Sequence, residues 1–325
     1  MSVQQVRGVL ESRQIVIYFF AVALGAGLAV AVPGTRVLEA AINPALALML
    51  YATFLQVPLA DLRRASVQFR FLAALLVANF IVIPLLVAVL ALFLPDDPMI
   101  RLGALLVLLA PCIDYVVTFA HLGRADARLL LAATPALLII QMLLLPAYLG
   151  LFLGAEATQL IQAGPFLHAF LWLILVPLLA AAATQACAAR SPVGTRAAEW
   201  LDLLPVPATA LVLFIVIAAV VPQLGPAIEA VLRVVPVYLA FAIAAPLLGW
   251  LVARLFGMDA GSGRAIAFST GTRNSLVVLP LGLAVPGAIP ILPAIIVTQT
   301  LVELLSELAY VKLIARFGRA PAAGI

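Results

Sequence analysis

Apolar runs of membrane length recur from one end of this 325-residue chain to the other, and no other feature restricts its fold as severely. A run of about 20 apolar residues spans the hydrocarbon core of a bilayer as a helix. Lipid offers no partner to backbone N–H and C=O groups, so each run must satisfy them internally. Ten such runs are read, at roughly 14–33, 37–59, 69–94, 101–121, 128–153, 164–188, 199–222, 229–256, 264–285 and 290–314. The chain is 66% hydrophobic and 10% charged, too little polar surface to cover a soluble domain. The expectation is an all-α polytopic membrane protein of ten transmembrane helices, with short loops and a single membrane domain over 1–325.

Basic residues set the orientation. With the N-terminus cytoplasmic, the inner segments carry Arg7, Arg13, Arg63, Arg64, Arg70, Arg124, Arg128, Arg190, Arg196, Arg254, Arg264, Lys312, Arg316 and Arg319. The outer loops carry Arg36, Arg101 and Arg233. The positive-inside rule then places both termini in the cytoplasm, in the inner (plasma) membrane of the cell. The net charge of +4 follows from this topology and calls for no nucleic-acid partner. The first run is too long for a signal peptide, and no small-residue cleavage site accompanies it. Cys112 in a span and Cys187 at a cytoplasmic helix end are too far apart on this map to pair, and no metal-finger spacing or cofactor motif is present.

An internal repeat organises the runs. Pro135-Ala-Leu-Leu-Ile-Ile-Gln141 matches Pro293-Ala-Ile-Ile-Val-Thr-Gln299, and Pro84-Leu-Leu86 matches Pro246-Leu-Leu248, both at an offset of roughly 160 residues. A five-span unit has an odd number of crossings, so a second copy enters the membrane inverted. The two copies are 14–153 and 164–314. They bring into register two polar interruptions, Pro111-Cys-Ile-Asp-Tyr115 in run 4 and Gly271-Thr-Arg-Asn-Ser275 in run 9.

An arginine near mid-bilayer costs several kcal/mol unless it faces a bundle interior or a wet cavity. Arg273, beside Gly271, Thr272, Asn274 and Ser275, therefore marks a broken helix lining a polar site. Asp114 is its natural counter-charge. Such a pair either only ties two helices together or is opened by substrate or a proton. Cys112, two residues from Asp114, offers a thiolate, a soft ligand for a soft solute, although buried cysteines are more often packing groups. Glu303 and Glu307 lie one turn apart in run 10; mutual repulsion favours a proton on one of them, and Glu307 is equally readable as exposed at the inner rim. Asn79, Thr134, Gln141, Thr298 and Gln299 are neutral polar groups that either line the site or bond neighbouring helices. His121 and His168 read as interfacial.

Ten spans, five-span inverted repeats and crossed broken helices at runs 4 and 9 resemble the bile acid/sodium symporter superfamily, which includes arsenite efflux permeases. The likeness covers essentially the whole chain and is sharpest at Leu109-Ala-Pro-Cys-Ile-Asp-Tyr115 and Gly271-Thr-Arg-Asn-Ser275. It implies a panel of spans 1, 2, 6 and 7, a core of spans 3–5 and 8–10, and alternating access as core moves against panel. The sodium-coupled branch carries a pattern like Glu-Val-Gly-Met-Gln-Asn-Ser in span 9. Here Ser269 and Arg273 replace its acid and amide, while Gly271, Asn274 and Ser275 are kept. An arginine cannot ligate sodium, but it supplies a cation's charge permanently. Arsenite permeases carry a cysteine where Cys112 stands, and an acidic residue in span 9 that is missing here.

The resemblance thus implies a secondary transporter, foremost an arsenite or antimonite exporter working by proton exchange. In it Cys112 holds the metalloid, Asp114, Arg273, Asn274 and Ser275 complete the binding site, and Asp114 and Glu303 handle the proton. Thr134, Gln141, Gly271, Thr272 and Gln299 are supporting groups. The rival reading keeps the fold but moves a small organic anion, with Arg273 as its carboxylate anchor. An intramembrane enzyme is the third, but no metal motif or nucleophile elbow supports one.

Overall fold

The computed structural model describes residues 3–56, 69–113, 115–154, 164, 168 and 171–318. They form, in order, α1 (Val3–Ala31), α2 (Glu39–Gln56), α3 (Phe69–Ala91), α4 (Pro98–Leu108), α5 (Val116–Leu122) and α6 (Ala127–Leu153). The second part of the chain gives α7 (Val176–Ala188), α8 (Pro192–Leu201), α9 (Pro205–Val220), α10 (Leu224–Leu255), α11 (Ala260–Gly271), α12 (Ser275–Leu283) and α13 (Ile291–Leu313). No strand longer than a single bridge occurs among the described residues.

Six helices are long and apolar enough to cross a membrane, and α8 with α9 makes a seventh if that pair, bent by 41°, is one span. Large apolar side chains lie open on the outer faces, among them Val16, Phe20 and Leu24 of α1 and Leu239, Ile243 and Leu247 of α10. Such contiguous apolar exposure suits lipid and not water. The chain is therefore an all-helical, multi-pass membrane protein. The difference from ten uninterrupted runs has a local cause. Run 4 divides into α4 and α5, and run 9 into α11 and α12, so neither is a continuous membrane-length helix. In run 6, residues 165–167, 169 and 170 lie outside the described residues, and the helix described after them, α7, is shorter than a membrane span.

The helices fall into two compact units. The first comprises Met1–Val57, Thr158–Val231 and Leu276–Val297, and the second Pro58–Ala157, Leu232–Ser275 and Thr298–Ile325. Spans 1, 2, 6 and 7 contribute to the first, while runs 9 and 10 are each divided between the two.

In the first unit α1 packs on α9 where Gly25 lets the backbones meet; a Cβ there would come within 2.7 Å of the Phe214 carbonyl oxygen. The Tyr51 and Thr184 hydroxyls bond at 2.9 Å between α2 and α7, and Gln185 Nε2 donates to the Phe54 and Leu55 carbonyls. Arg7 ties α1 to the C-terminus of α8 through Asp202 at 3.2 Å.

In the second unit Asp97, Asp126 and Asp259 cap the N-termini of α4, α6 and α11 with their carboxylates. This satisfies N–H groups that a helix start leaves without partners. Gly249 of α10 sits so close to α11 that a Cβ would fall 3.0 Å from the Ile266 carbonyl oxygen. In α3, the segment Ala78–Val82 widens into one π-helical turn, a distortion that frequently marks functional positions. It carries Asn79.

Candidate functional site

The site grows from two stretches of extended backbone. After α4 the chain straightens at Pro111, and after α11 it straightens at Thr272, where φ is −107° and ψ 130°. Pro111 and Arg273 pair as a single antiparallel bridge. Cys112 N donates to the Thr272 carbonyl at 3.1 Å, and Asn274 N donates to the Ala110 carbonyl at 2.8 Å. This is the register in which the bridged residues themselves exchange no N–H···O bonds. A proline therefore fits at 111, because the N–H it lacks would have pointed away from the partner.

Side chains alternate along extended backbone. Pro111 and Arg273 thus share one face of the crossing, and Cys112, Thr272 and Asn274 share the other. All of these are fully or almost fully buried.

Arg273 is the largest fully buried side chain among the described residues. Its Nη2 donates to the carbonyls of Ser269 (2.7 Å) and Thr270 (2.9 Å) and to Asn79 Oδ1 (2.9 Å), and Nη1 donates to the Leu108 carbonyl (3.3 Å). Ser269, Thr270 and Leu108 belong to the last turns of α11 and α4, whose carbonyls have no helical partner and carry the negative end of the helix dipole. One guanidinium therefore caps two helix C-termini. The ring of Phe241 faces it, 5.4 Å from the guanidinium carbon. Asn79 is held in turn by donating to the Leu75 carbonyl and Ser269 Oγ. Ion pairs among the described residues lie elsewhere, and none involves Arg273.

The acidic residues of α13 behave differently from one another. Glu303 Oε2 accepts from the Arg273 backbone N–H and from Gln299 Nε2, both at 2.6 Å, and Oε1 accepts from the Tyr115 hydroxyl. Gln299 accepts in turn from the Ser275 hydroxyl. Glu307, fully buried, is not at an exposed rim; its Oε1 lies 2.5 Å from Thr272 Oγ1, and its Oε2 has no partner among the described residues. Arg273 Nε and both polar atoms of the Asn274 amide are likewise without partners there.

Cys112, Arg273, Asn274, Ser275, Gln299, Glu303, Thr272 and Gly271 are thus brought to one crossing, with Gly271 in contact range of the Tyr310 ring. Asp114, the expected counter-charge, lies outside the described residues. Thr134 turns back to the Leu130 carbonyl of its own helix, and Gln141 is buried with its amide unpartnered among the described residues. His121 and His168 are exposed. The sequence reading passed over Tyr115, Ser269 and Phe241 as contributors. Ser269 carries a signal, standing one helical turn before Arg273, and so does Tyr115, which closes the Pro111–Tyr115 interruption; Phe241 reaches the site from α10 and carries none. Groups of three or more His, Cys, Asp or Glu able to hold a metal ion are absent among the described residues.

No curated protein matches the sequence. The model of the sodium bile acid symporter family matches residues 43–227, more than half of the chain and including the first of the two breaks. With a multi-pass helical bilayer protein and a buried polar crossing already established, the chain belongs to the sodium bile acid symporter family, a family of transporters.

Proposed function

We propose that this transporter exports arsenite or antimonite by proton exchange, with ten spans in two inverted five-helix repeats, both termini in the cytoplasm of the plasma membrane, and access alternating between its two sides. The observation that carries this reading is the composition of one face of the crossing. There the Cys112 thiol shares a face with an Asn274 amide whose donor and acceptor atoms both lack partners among the described residues. Trivalent arsenic and antimony at neutral pH are uncharged hydroxides. They favour sulfur, and their hydroxyl groups both donate and accept. A buried amide left unsatisfied costs about 1–3 kcal/mol, which a hydroxylated cargo would recover on binding.

The rival cargo, a small organic anion, needs the guanidinium as a two-pronged clamp. Both terminal nitrogens of Arg273 are already engaged by four protein oxygens, leaving Nε as its one unbonded nitrogen among the described residues. That favours the metalloid. It also favours a fixed charge at the crossing over a mobile sodium ion, because the cation that these neutral oxygens surround is part of the chain.

The test is arsenite uptake into everted membrane vesicles with and without an imposed pH gradient. Uptake driven by the gradient in wild type and lost in Cys112→Ala is expected. Full uptake by the variant would overturn the thiol's role, and no uptake by correctly inserted wild type would overturn the cargo.

A further inference from the structure

Proton exchange needs one group that gains and loses a proton, and the hydrogen-bond inventory of α13 distinguishes two candidates. Among the described residues, each hydrogen bond to Glu303 comes from a donor: a backbone N–H, an amide N–H and a tyrosine O–H. A carboxylate without a proton accepts all three. Glu303 therefore supplies the standing negative charge that balances Arg273.

Glu307 is bonded otherwise. Thr272 Oγ1 lies 2.7 Å from the Phe268 carbonyl oxygen and 2.5 Å from Glu307 Oε1. A hydroxyl has one hydrogen, and a carbonyl can only accept. If the threonine donates to Phe268, the second contact is a hydrogen bond only when Glu307 donates to Oγ1. The side chain is fully buried, and its other oxygen has no partner among the described residues. A bare carboxylate left in that state would be severely desolvated.

We propose that Glu307 is the residue that carries the exchanged proton, held in this state on Oε1 against Thr272 and released to water when the crossing opens. This deepens the proton-exchange reading and rests on it. The titratable groups that act directly on Glu307 among the described residues are Glu303 one turn before it and Tyr310 one turn after it on α13; Arg273 and Cys112 of the crossing interact with each other, and Arg273 and Tyr115 act on Glu303. Binding and releasing a proton at Glu307 changes the charge of the crossing by one unit, next to Thr272 on the face that carries Cys112 and Asn274. The same step is thus placed to favour or disfavour the cargo.

Infrared difference spectroscopy of the purified full-length protein across a pH titration tests this without any cargo. Wild type should show the C=O band of a buried protonated carboxylic acid, disappearing as pH rises. Glu307→Gln, whose amide N–H can still donate to Thr272, should fold and lack the band. Thr272→Val should keep the band but move it to higher frequency, because the acid proton loses its acceptor. A band that survives in Glu307→Gln, or is unmoved in Thr272→Val, overturns the assignment even if one variant fails to fold. In vesicles, Glu307→Gln should lose gradient-driven arsenite uptake while keeping arsenite–arsenite exchange. If wild type moves no arsenite, the cargo is wrong and the infrared result still decides the proton site.

Discussion

Among the described residues, the Arg273 guanidinium and the Glu303 carboxylate hold the crossing without a salt bridge to each other, while Asp114, the counter-charge that the sequence suggests for Arg273, lies outside those residues. The guanidinium is stabilised by carbonyl oxygens at two helix ends, and the Glu303 carboxylate by neutral donors and a backbone N–H. Each charge is thus solvated by fixed dipoles, as water would solvate it, with the opposite charge close by. This predicts a sharp difference between the two acids of α13. Glu303→Gln puts an amide NH2 where three donors converge, so at least one donor or the new NH2 loses its acceptor. A loss of about 1–3 kcal/mol follows from one buried unsatisfied group, read as a lowered melting temperature in detergent. Glu307→Gln, replacing a proton donor by a proton donor, should melt close to wild type. Equal melting of the two variants would sink the distinction.

At the scale of elements, the crossing depends on helices that stop early and on one that comes unusually close. Gly249 allows α10 to lie against α11, with the Ile266 carbonyl and the Thr270 side chain where a Cβ would go. Gly249→Val pushes α10 away from the helix whose C-terminus Arg273 caps. Overpacking of this kind costs about 1–3 kcal/mol. The variant should be less stable in a thermal-shift assay and impaired in transport; a variant as stable as wild type would mean that α10 and α11 do not pack this closely. Elements of this sort were only partly legible. The breaks at Pro111 and Gly271–Asn274 were visible because polar and helix-weakening residues interrupted apolar runs. The bridge between them was not, because its partners are far apart in sequence and its bonds are between backbone atoms that no side-chain pattern encodes. Asn79 was visible as a polar residue in a span, yet its contact with Arg273 depends on a π-helical turn that the sequence does not announce. For Glu307, sequence left exposure and burial open, since a residue four from Glu303 has the same face whether that face meets water or protein.

Over the whole molecule, the apolar outer faces and the family match point to insertion in a bilayer, and the basic residues predict an orientation that labelling can test. Fourteen of the eighteen Lys and Arg residues fall on one side in the ten-span reading, and this asymmetry sets topology through short loops. The two cysteines allow a direct measurement, because they differ in access. Cys112 is buried and Cys187, at the end of α7 beside Arg190, is exposed. In a Cys112→Ala background, Cys187 is the one remaining thiol. The orientation expected from the basic residues puts the turn between α7 and α8 in the cytoplasm, so a membrane-impermeant maleimide should then label inside-out vesicles and leave intact spheroplasts unlabelled. Labelling of spheroplasts alone would invert the molecule. It would also reverse the direction in which the crossing releases its cargo for a given gradient, so this measurement belongs before any vesicle assay is read as export.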